Sequence, residues 1–329
     1  MKIAVLGAGA WGTAISISLA RRHAIRLWAR DPHQARVMVE TRFNERYLPD
    51  CPLQDTIAIT SDCPQALDGC GLVLMATTTA AMRETLRRLR DLPVAVPAVW
   101  LCKGFEGERR ALPHEIAAGE LDAKRPRGAL SGPSFAAEVA RGMPTALTLA
   151  SADGPFAARV ARELHDENLR VYSSDDVVGV EVAGAVKNVI AIAAGISDGL
   201  ALGHNARAAL VTRGLAETTR LGLRLGGRLE TFMGLAGAGD LMLTCMGDLS
   251  RNRRVGLELA REMPLEAILE KLGHVAEGVH TARAVARLAR DLGVEMPITS
   301  AVCRVIDSEL SARDAVRELM QRDPQREHR

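Results

Sequence analysis

The chain has 329 residues, 47% of them apolar and 25% charged, enough for two domains around sizeable cores. Its 42 basic and 40 acidic side chains leave a formal charge of +2, so neither nucleic acid nor an anionic membrane surface is an expected partner. The six cysteines form no CxxC pair and the eight histidines show no ligand spacing, which points to a reduced, cytoplasmic protein and gives a metal site little support.

The opening MKIAVLGAGAWG is too glycine-rich, and too short in its apolar run, for a signal peptide. Residues 2–6 read as a strand that runs into Gly7-Ala8-Gly9-Ala10-Trp11-Gly12 and then a helical pattern to Arg22. A GxGxxG turn between a strand and a helix predicts dinucleotide binding. Gly7 permits the tight turn, Gly9 lets the backbone approach a pyrophosphate, and Gly12 lets the helix pack on the strand. The free N–H groups and positive dipole of the helix then face the phosphates. A second strand is predicted at 25–28. Past it, an NAD site usually carries an acidic residue, and here Arg30 stands in that place. Asp31-Pro32 reads as the N-cap and first position of the next helix. A guanidinium suits a 2′-phosphate, so NADP(H) is the preferred cofactor and NAD(H) the second. The plainer alternative for Arg30 is a solvated surface arginine.

A loop, RFNERYLPDCPL, follows the second helix. Strands are predicted at 56–60, 72–76, 99–101, 129–130, 145–150 and 169–172, alternating with helical segments. This alternation implies an α/β fold, a Rossmann-like doubly wound sheet covered on both faces. The strand at 99–101 delivers Lys103 to the carboxyl end of the sheet, where ligands of such sheets sit. There Lys103 meets a phosphate or carbonyl, or is an ordinary loop lysine. In Ser131-Gly132-Pro133-Ser134 the turn offers a serine to cap the helix that follows and to donate to an anion.

From Ser174 the alternation stops and everything to Met320 reads helical, so a dinucleotide-binding domain is expected over 1–175 and an all-helical C-terminal domain over 176–329. The first helix, 174–198, is apolar nearly all round, which marks a buried helix. Ser174, Asp175 and Asp176 supply capping oxygens, and Gly195 loosens its end. Glu181 and Lys187 within the run argue against a membrane span. A buried lysine here is either a structural partner of Glu181 or a general acid/base whose pKa falls as water is removed. Gly184, one turn earlier, leaves room to approach the ammonium. Further on come a glycine-rich turn from Gly234 to Asp240, and Ser250 as the cap of a helix whose first turn holds Arg251 and Asn252. That first turn is an anion site or, more plainly, a solvated basic patch.

GAGAWGTA at the start, KGFE at Lys103, SGPSFAAEVARGMPTA from Ser131, EVAGAVKNVIAIAAGI from Glu181, NARAALVTRGLAE from Asn205, GLAGAGDLMLTC from Gly234, LSRNRRVG from Leu249 and EGVHTARAV from Glu277 stand in order along the chain. Together they resemble the bacterial NAD(P)-dependent glycerol-3-phosphate dehydrogenase family, from Met1 to about Ile306. The resemblance implies reversible reduction of dihydroxyacetone phosphate to sn-glycerol 3-phosphate by NADPH or NADH, feeding glycerophospholipid synthesis. It implies Lys187 as the acid/base, with Asp240 holding that lysine and the substrate hydroxyls. Lys103, Gly132, Ser134, Ser250, Arg251 and Asn252 would surround the substrate. Trp11, Arg30, Lys103, Ala136, Arg251, Val275 and Glu277 would touch the cofactor. The partner implied is a small phosphorylated triose. The protein is not expected to be integral to a membrane, and a homodimer is allowed but not required.

The chain departs from the family pattern in three places. Ala8 stands where a serine is common, His204 stands where the family usually carries an acidic residue, and Met246-Gly247-Asp248 replaces a more hydroxyl-rich lead-in to Ser250. Two other readings remain. A related Rossmann-plus-helical dehydrogenase acting on a 3-hydroxy acid or ketopantoate would not need the Ser250-Arg251-Asn252 turn. A catalytically inactive NADP-binding regulator would be expected to lack Lys187 or Asp240, and both are present.

Overall fold

The structure, a computed structural model, describes residues 1–92, 95–107, 109–272 and 276–323. Its strands are β1 (Lys2–Leu6), β2 (Ala24–Trp28), β3 (Phe43–Asn44), β4 (Leu48–Pro52), β5 (Ala58–Thr60), β6 (Leu72–Met75), β7 (Ala98–Trp100), β8 (Arg127–Ser131), β9 (Thr145–Ala150) and β10 (Leu169–Ser174). Eight of them form one sheet in the order β10-β9-β8-β7-β6-β1-β2-β5, parallel at every pairing except β8 with β9. The central strands KIAVL and LVLM are apolar at almost every position because helices cover both faces of the sheet. The chain moves outward from β1 to β2 and β5, then crosses back to β6 on the other side of β1. The order therefore reverses between β1 and β6, and the crevice for a ligand opens at the carboxyl ends of those two strands.

The segment read as the loop RFNERYLPDCPL is instead the antiparallel hairpin of β3 and β4. Pro49 and Pro52 hide it from a strand pattern, since proline is confined to strand edges. Asn44 of this hairpin is buried and donates to the Ala8 carbonyl at 3.0 Å and to Thr13 Oγ1 at 2.7 Å, bracing the glycine turn from below.

Beyond residue 176 only helices occur among the described residues. The first of them, Val177–Gly199, is buried along nearly its whole length. It is long and apolar enough to cross a membrane, yet it lies inside the protein among the helices Gly203–Arg224, Asp240–Met246, Arg251–Leu259 and Glu277–Asp291. Asp176 caps it by accepting from the Gly179 amide at 2.8 Å, and Ser174 Oγ accepts from the Asp176 amide at 3.1 Å. Asp175 is drawn away to Arg228, at 2.7 Å, and caps nothing. Gly195 does not loosen the helix end, contrary to expectation. It lies inside the helix, where a Cβ would stand 2.0 Å from the Arg253 carbonyl oxygen, and a Cβ on Gly256 would stand 2.0 Å from that of Ile192. The two glycines let the helices Val177–Gly199 and Arg251–Leu259 cross at backbone contact, which brings the Arg251 turn close to the central helix.

Candidate active site

Lys187 sits in the middle of the central helix with only 9% of its side chain exposed. Its ammonium meets Asp240 Oδ1 and donates to Thr244 Oγ1 at 3.0 Å. Asp240 is buried, and its second oxygen accepts from Lys103 Nζ at 2.6 Å. Lys103 also donates to the Gly132 carbonyl at 3.3 Å. One carboxylate thus bridges two lysines, one from the sheet and one from the central helix. Burial pushes the Lys187 pKa down to about 8; the Asp240 charge resists that fall and the neighbouring Lys103 ammonium adds to it. An amine whose pKa is lowered to about 8, beside a second lysine, is suited to exchange a proton with a carbonyl oxygen.

The structural alternative, a Lys187–Glu181 pair, is not what forms. Glu181 accepts from the Trp100 indole at 2.8 Å and meets His114 Nδ1 at 2.6 Å. Gly184 faces Ser131 Oγ and the stem of Lys103; a Cβ there would lie 3.0 Å from the first and 3.5 Å from the second. The bare helix face accordingly makes room for the lysine that shares Asp240.

The glycine turn fits a dinucleotide. Gly7 has φ +115°, and a Cβ on it would lie 2.7 Å from the Ala76 oxygen at the end of β6. A Cβ on Gly12 would lie 1.9 Å from the Gly7 oxygen, so this glycine is required by the close packing of helix on turn. Gly9 has open space where its Cβ would be, the room a pyrophosphate needs. No side chain caps the helix Ala10–Leu19 that begins there, and its first amides are left for an anion. Two buried hydroxyls, Thr77 Oγ1 just past β6 and Ser131 Oγ at the end of β8, have no protein partner among the described residues. Such orphaned donors are what a bound polar group satisfies. Trp11 and Ala136 are partly buried, each packed against the hydrophobic core of the sheet. Arg30 is exposed just beyond β2, and Asp31 is occupied as a cap, its carboxylate accepting from the His33 amide at 2.9 Å.

On the helical side, Ser250 caps Arg251–Leu259, its Oγ accepting from the Arg253 amide at 3.3 Å. Arg251 is exposed at the first helical position. Asn252 accepts from the Gly278 amide at 3.1 Å, tying this turn to the start of the helix Glu277–Asp291. Burial pushes the Glu277 carboxyl up, against the pull of Arg251, Lys103 and Lys187, so these four groups share one field. Asp248, in the divergent lead-in, accepts from Arg253 Nη1 at 2.9 Å.

The fold brings Lys103, Gly132, Lys187, Asp240, Arg251 and Glu277 around one place. Some local expectations are corrected. Ser134 caps no helix: its Oγ turns back to the Gly132 carbonyl at 2.9 Å, and the N-cap of Ala136–Ala140 is Phe135. The glycine-rich run before Asp240 is no open turn but a π-helical turn, Leu235–Gly239, wound directly into the helix Asp240–Met246. Val275 lies outside the described residues, and His204 is exposed at the start of its helix. The reading of single motifs missed Thr244, although its spacing four residues after Asp240 places both on one helix face. It also missed Trp100 and His114, whose contacts with Glu181 span 81 and 67 residues and leave no local signal.

Comparison with known proteins agrees in both halves of the chain. Family models described as the NAD-dependent glycerol-3-phosphate dehydrogenase N-terminus and C-terminus match residues 2–157 and 176–317. The chain is 56% identical over 327 residues to the NAD(P)+ glycerol-3-phosphate dehydrogenase of Dechloromonas aromatica, covering 99% of each chain. It is likewise 56% identical over 323 residues to that of Thiobacillus denitrificans, covering 98% of each. The crystal structure of glycerol-3-phosphate dehydrogenase from Coxiella burnetii has a TM-score of 0.93 to it at 41% identity, covering 98% of this chain and 99% of the other. With the paired lysines, the glycine turn and both halves of the family accounted for, the chain belongs to the NAD-dependent glycerol-3-phosphate dehydrogenase family.

Proposed function

We propose that the chain reduces dihydroxyacetone phosphate to sn-glycerol 3-phosphate with NADPH or NADH, reversibly, as a supply for glycerophospholipid synthesis. The observation that carries this reading is the buried Lys187–Asp240–Lys103 cluster set beside the Arg251 turn. When bound, the nicotinamide supplies the hydride to the C2 carbonyl carbon. Lys187 gives its proton to the carbonyl oxygen, and in the reverse direction takes it back from the alcohol. Asp240 keeps Lys187 charged and aimed, and Lys103 polarises the same oxygen region. Arg251, with Ser250 and Asn252, holds the phosphate, the remote group whose binding energy aligns the carbonyl. Gly132 and Ser134 complete the substrate wall. On the cofactor side, Gly7, Gly9 and Gly12 cradle the pyrophosphate, with Trp11, Ala136, Val275 and Glu277 along the rest of the molecule.

The same reading divides the chain into a cofactor domain over 1–175 and a substrate domain over 176–329, and places the protein in the cytoplasm. A homodimer belongs to it as well. Exposed Leu223, Leu229 and Met233 around an apolar groove of about 1330 Å³, which shares no residue with the lysine cluster, are the surface that supports it. Light scattering of the purified protein measures the assembly.

The activity is tested by NADPH oxidation with dihydroxyacetone phosphate, ketopantoate and a 3-oxo acid side by side. Clear preference for the phosphorylated triose is expected; faster turnover of ketopantoate would overturn the reading. Arg251→Ala is expected to raise KM for dihydroxyacetone phosphate about 10- to 100-fold, the scale of a charge-assisted contact, and to lower kcat as well. Unchanged kinetics would place the phosphate elsewhere. Within the same proposal Arg30 reads the 2′-phosphate and gives NADPH its preference. Arg30→Ala should then weaken NADPH by about 1–3 kcal/mol and leave NADH nearly untouched. Equal losses in a fluorescence titration would show that Arg30 reads no phosphate.

A further inference from the structure

Glu181 is the one acidic group within the buried length of the central helix, and none of the chemistry above uses it. Burial pushes its carboxyl up, against the pull of His114, so the fold holds a carboxylate where water cannot compensate it. A leucine in its place would leave the Trp100 indole and the His114 imidazole without their partner. The carboxylate joins three elements. Oε1 accepts from the indole of Trp100, the last residue of β7, at 2.8 Å. Oε2 meets Nδ1 of His114, in the first turn of the helix Pro113–Glu120, at 2.6 Å.

Between Trp100 and His114 the chain makes the excursion that carries Lys103. That excursion is clamped at Glu106 and Ala111. The Glu106 amide donates to the Ala111 carbonyl at 2.9 Å, and Arg83 holds Glu106 at 2.7 Å and Glu120 at 2.6 Å. Phe105 and Leu112 leave the sheet side to pack in the hydrophobic cluster of the C-terminal helices. Both feet of the excursion therefore stand on Glu181, and Glu181 stands on the helix that carries Lys187, six residues or about 9 Å further along the axis.

We propose that Glu181 is a positioning residue: by holding Trp100 and His114 at once, it fixes Lys103 against Lys187 across the shared carboxylate of Asp240. The inference rests on Lys187 being the proton donor. The proximity of Lys103 is one cause of the low proton affinity of Lys187, so moving Lys103 away changes the pH at which Lys187 titrates. The other charged groups in this region are Glu277, which faces both lysines, and Glu115 and Arg127, which face His114.

The test compares Glu181→Leu, Glu181→Gln and Trp100→Phe in the full enzyme. Gln keeps both contacts, its oxygen accepting from the indole and its amide donating to His114 Nδ1, so its kcat should stay within about twofold of the parent. Leu and Phe break the link. Their kcat should fall about 10- to 100-fold, the range for a slightly misplaced group. The alkaline limb of their kcat profile should move to higher pH. A purely structural residue would lower Tm and leave the limb in place. Should Glu181→Leu fail to fold, Trp100→Phe carries the comparison, because it removes the indole donor and keeps an aromatic ring in the core. An unmoved limb with unchanged kcat in a folded variant, or a Gln variant as impaired as Leu, overturns the inference. A parent enzyme inactive on dihydroxyacetone phosphate would instead overturn the reading on which it rests, so the two failures are told apart.

Discussion

Lys187→Met is expected to lower kcat for dihydroxyacetone phosphate reduction by about 10²–10⁴-fold, the usual loss when a positioned general acid is removed. Methionine keeps the length and helix propensity of the side chain while deleting the ammonium. The fold should persist, because the central helix is held by its apolar contacts and by the Asp176 cap. Asp240 retains Lys103 as a partner, so the variant buries no unpaired carboxylate. NADPH binding should change little, since the glycine turn lies at the ends of β1 and β6. Stability gives a second check. A Lys187 pKa held near 8 against an ordinary value of 10.5 means that the unfolded chain binds more protons between those values. The parent therefore gains stability as pH rises through that window, and the Met variant should lose this slope. Full turnover in the variant would make Lys187 a bystander.

The second large effect is expected at Asp240. Asp240→Asn keeps the shape and removes the carboxylate that Lys103 and Lys187 both touch. The buried Lys187 ammonium and the partly buried Lys103 ammonium then face each other, and the first consequence is loss of a proton from one of them. That charge opposes the downward push of burial on Lys187, so without it the Lys187 pKa falls below 8. A smaller share of the donor is then protonated at neutral pH, and kcat should fall about 10²–10³-fold, as for loss of a preorganised electrostatic partner. Part of the activity should return on acidification, because protons refill the lysine. A deficit that is the same at every pH would mean that Asp240 acts on the substrate alone and not through Lys187.

The features legible in the sequence were those whose cause is local. The glycines of residues 7–12, the Asp31 and Ser250 caps and the apolar run around Lys187 each announce themselves within a turn or two. Contacts between distant segments were not legible. Asp240 joins Lys103 across 137 residues, and Glu181 looks like a natural partner for Lys187 until the helix is seen to point it at Trp100 and His114. Gly195 misled for the same reason: in one dimension a glycine near a helix end reads as a terminator, whereas here it is the crossing point with Gly256. The β3–β4 hairpin and the π-helical turn before Asp240 were hidden by proline and glycine, residues that elsewhere mark irregular chain. Ser134 had a capping residue's identity but turned to the nearer carbonyl of Gly132.

The most direct test of Lys187 as the acid and base is the pH dependence of kcat in both directions, dihydroxyacetone phosphate with NADPH and glycerol 3-phosphate with NADP+. Reduction needs the protonated lysine, so its kcat should be level at neutral pH and fall about tenfold per pH unit above a pKa near 8. Oxidation needs the neutral lysine, so its kcat should rise through the same pKa and level off above it. In Lys187→Met the remaining activity should show neither limb. Two limbs that mirror each other about one pKa, and vanish together, are the predicted result; limbs that persist unchanged in the Met variant would contradict it.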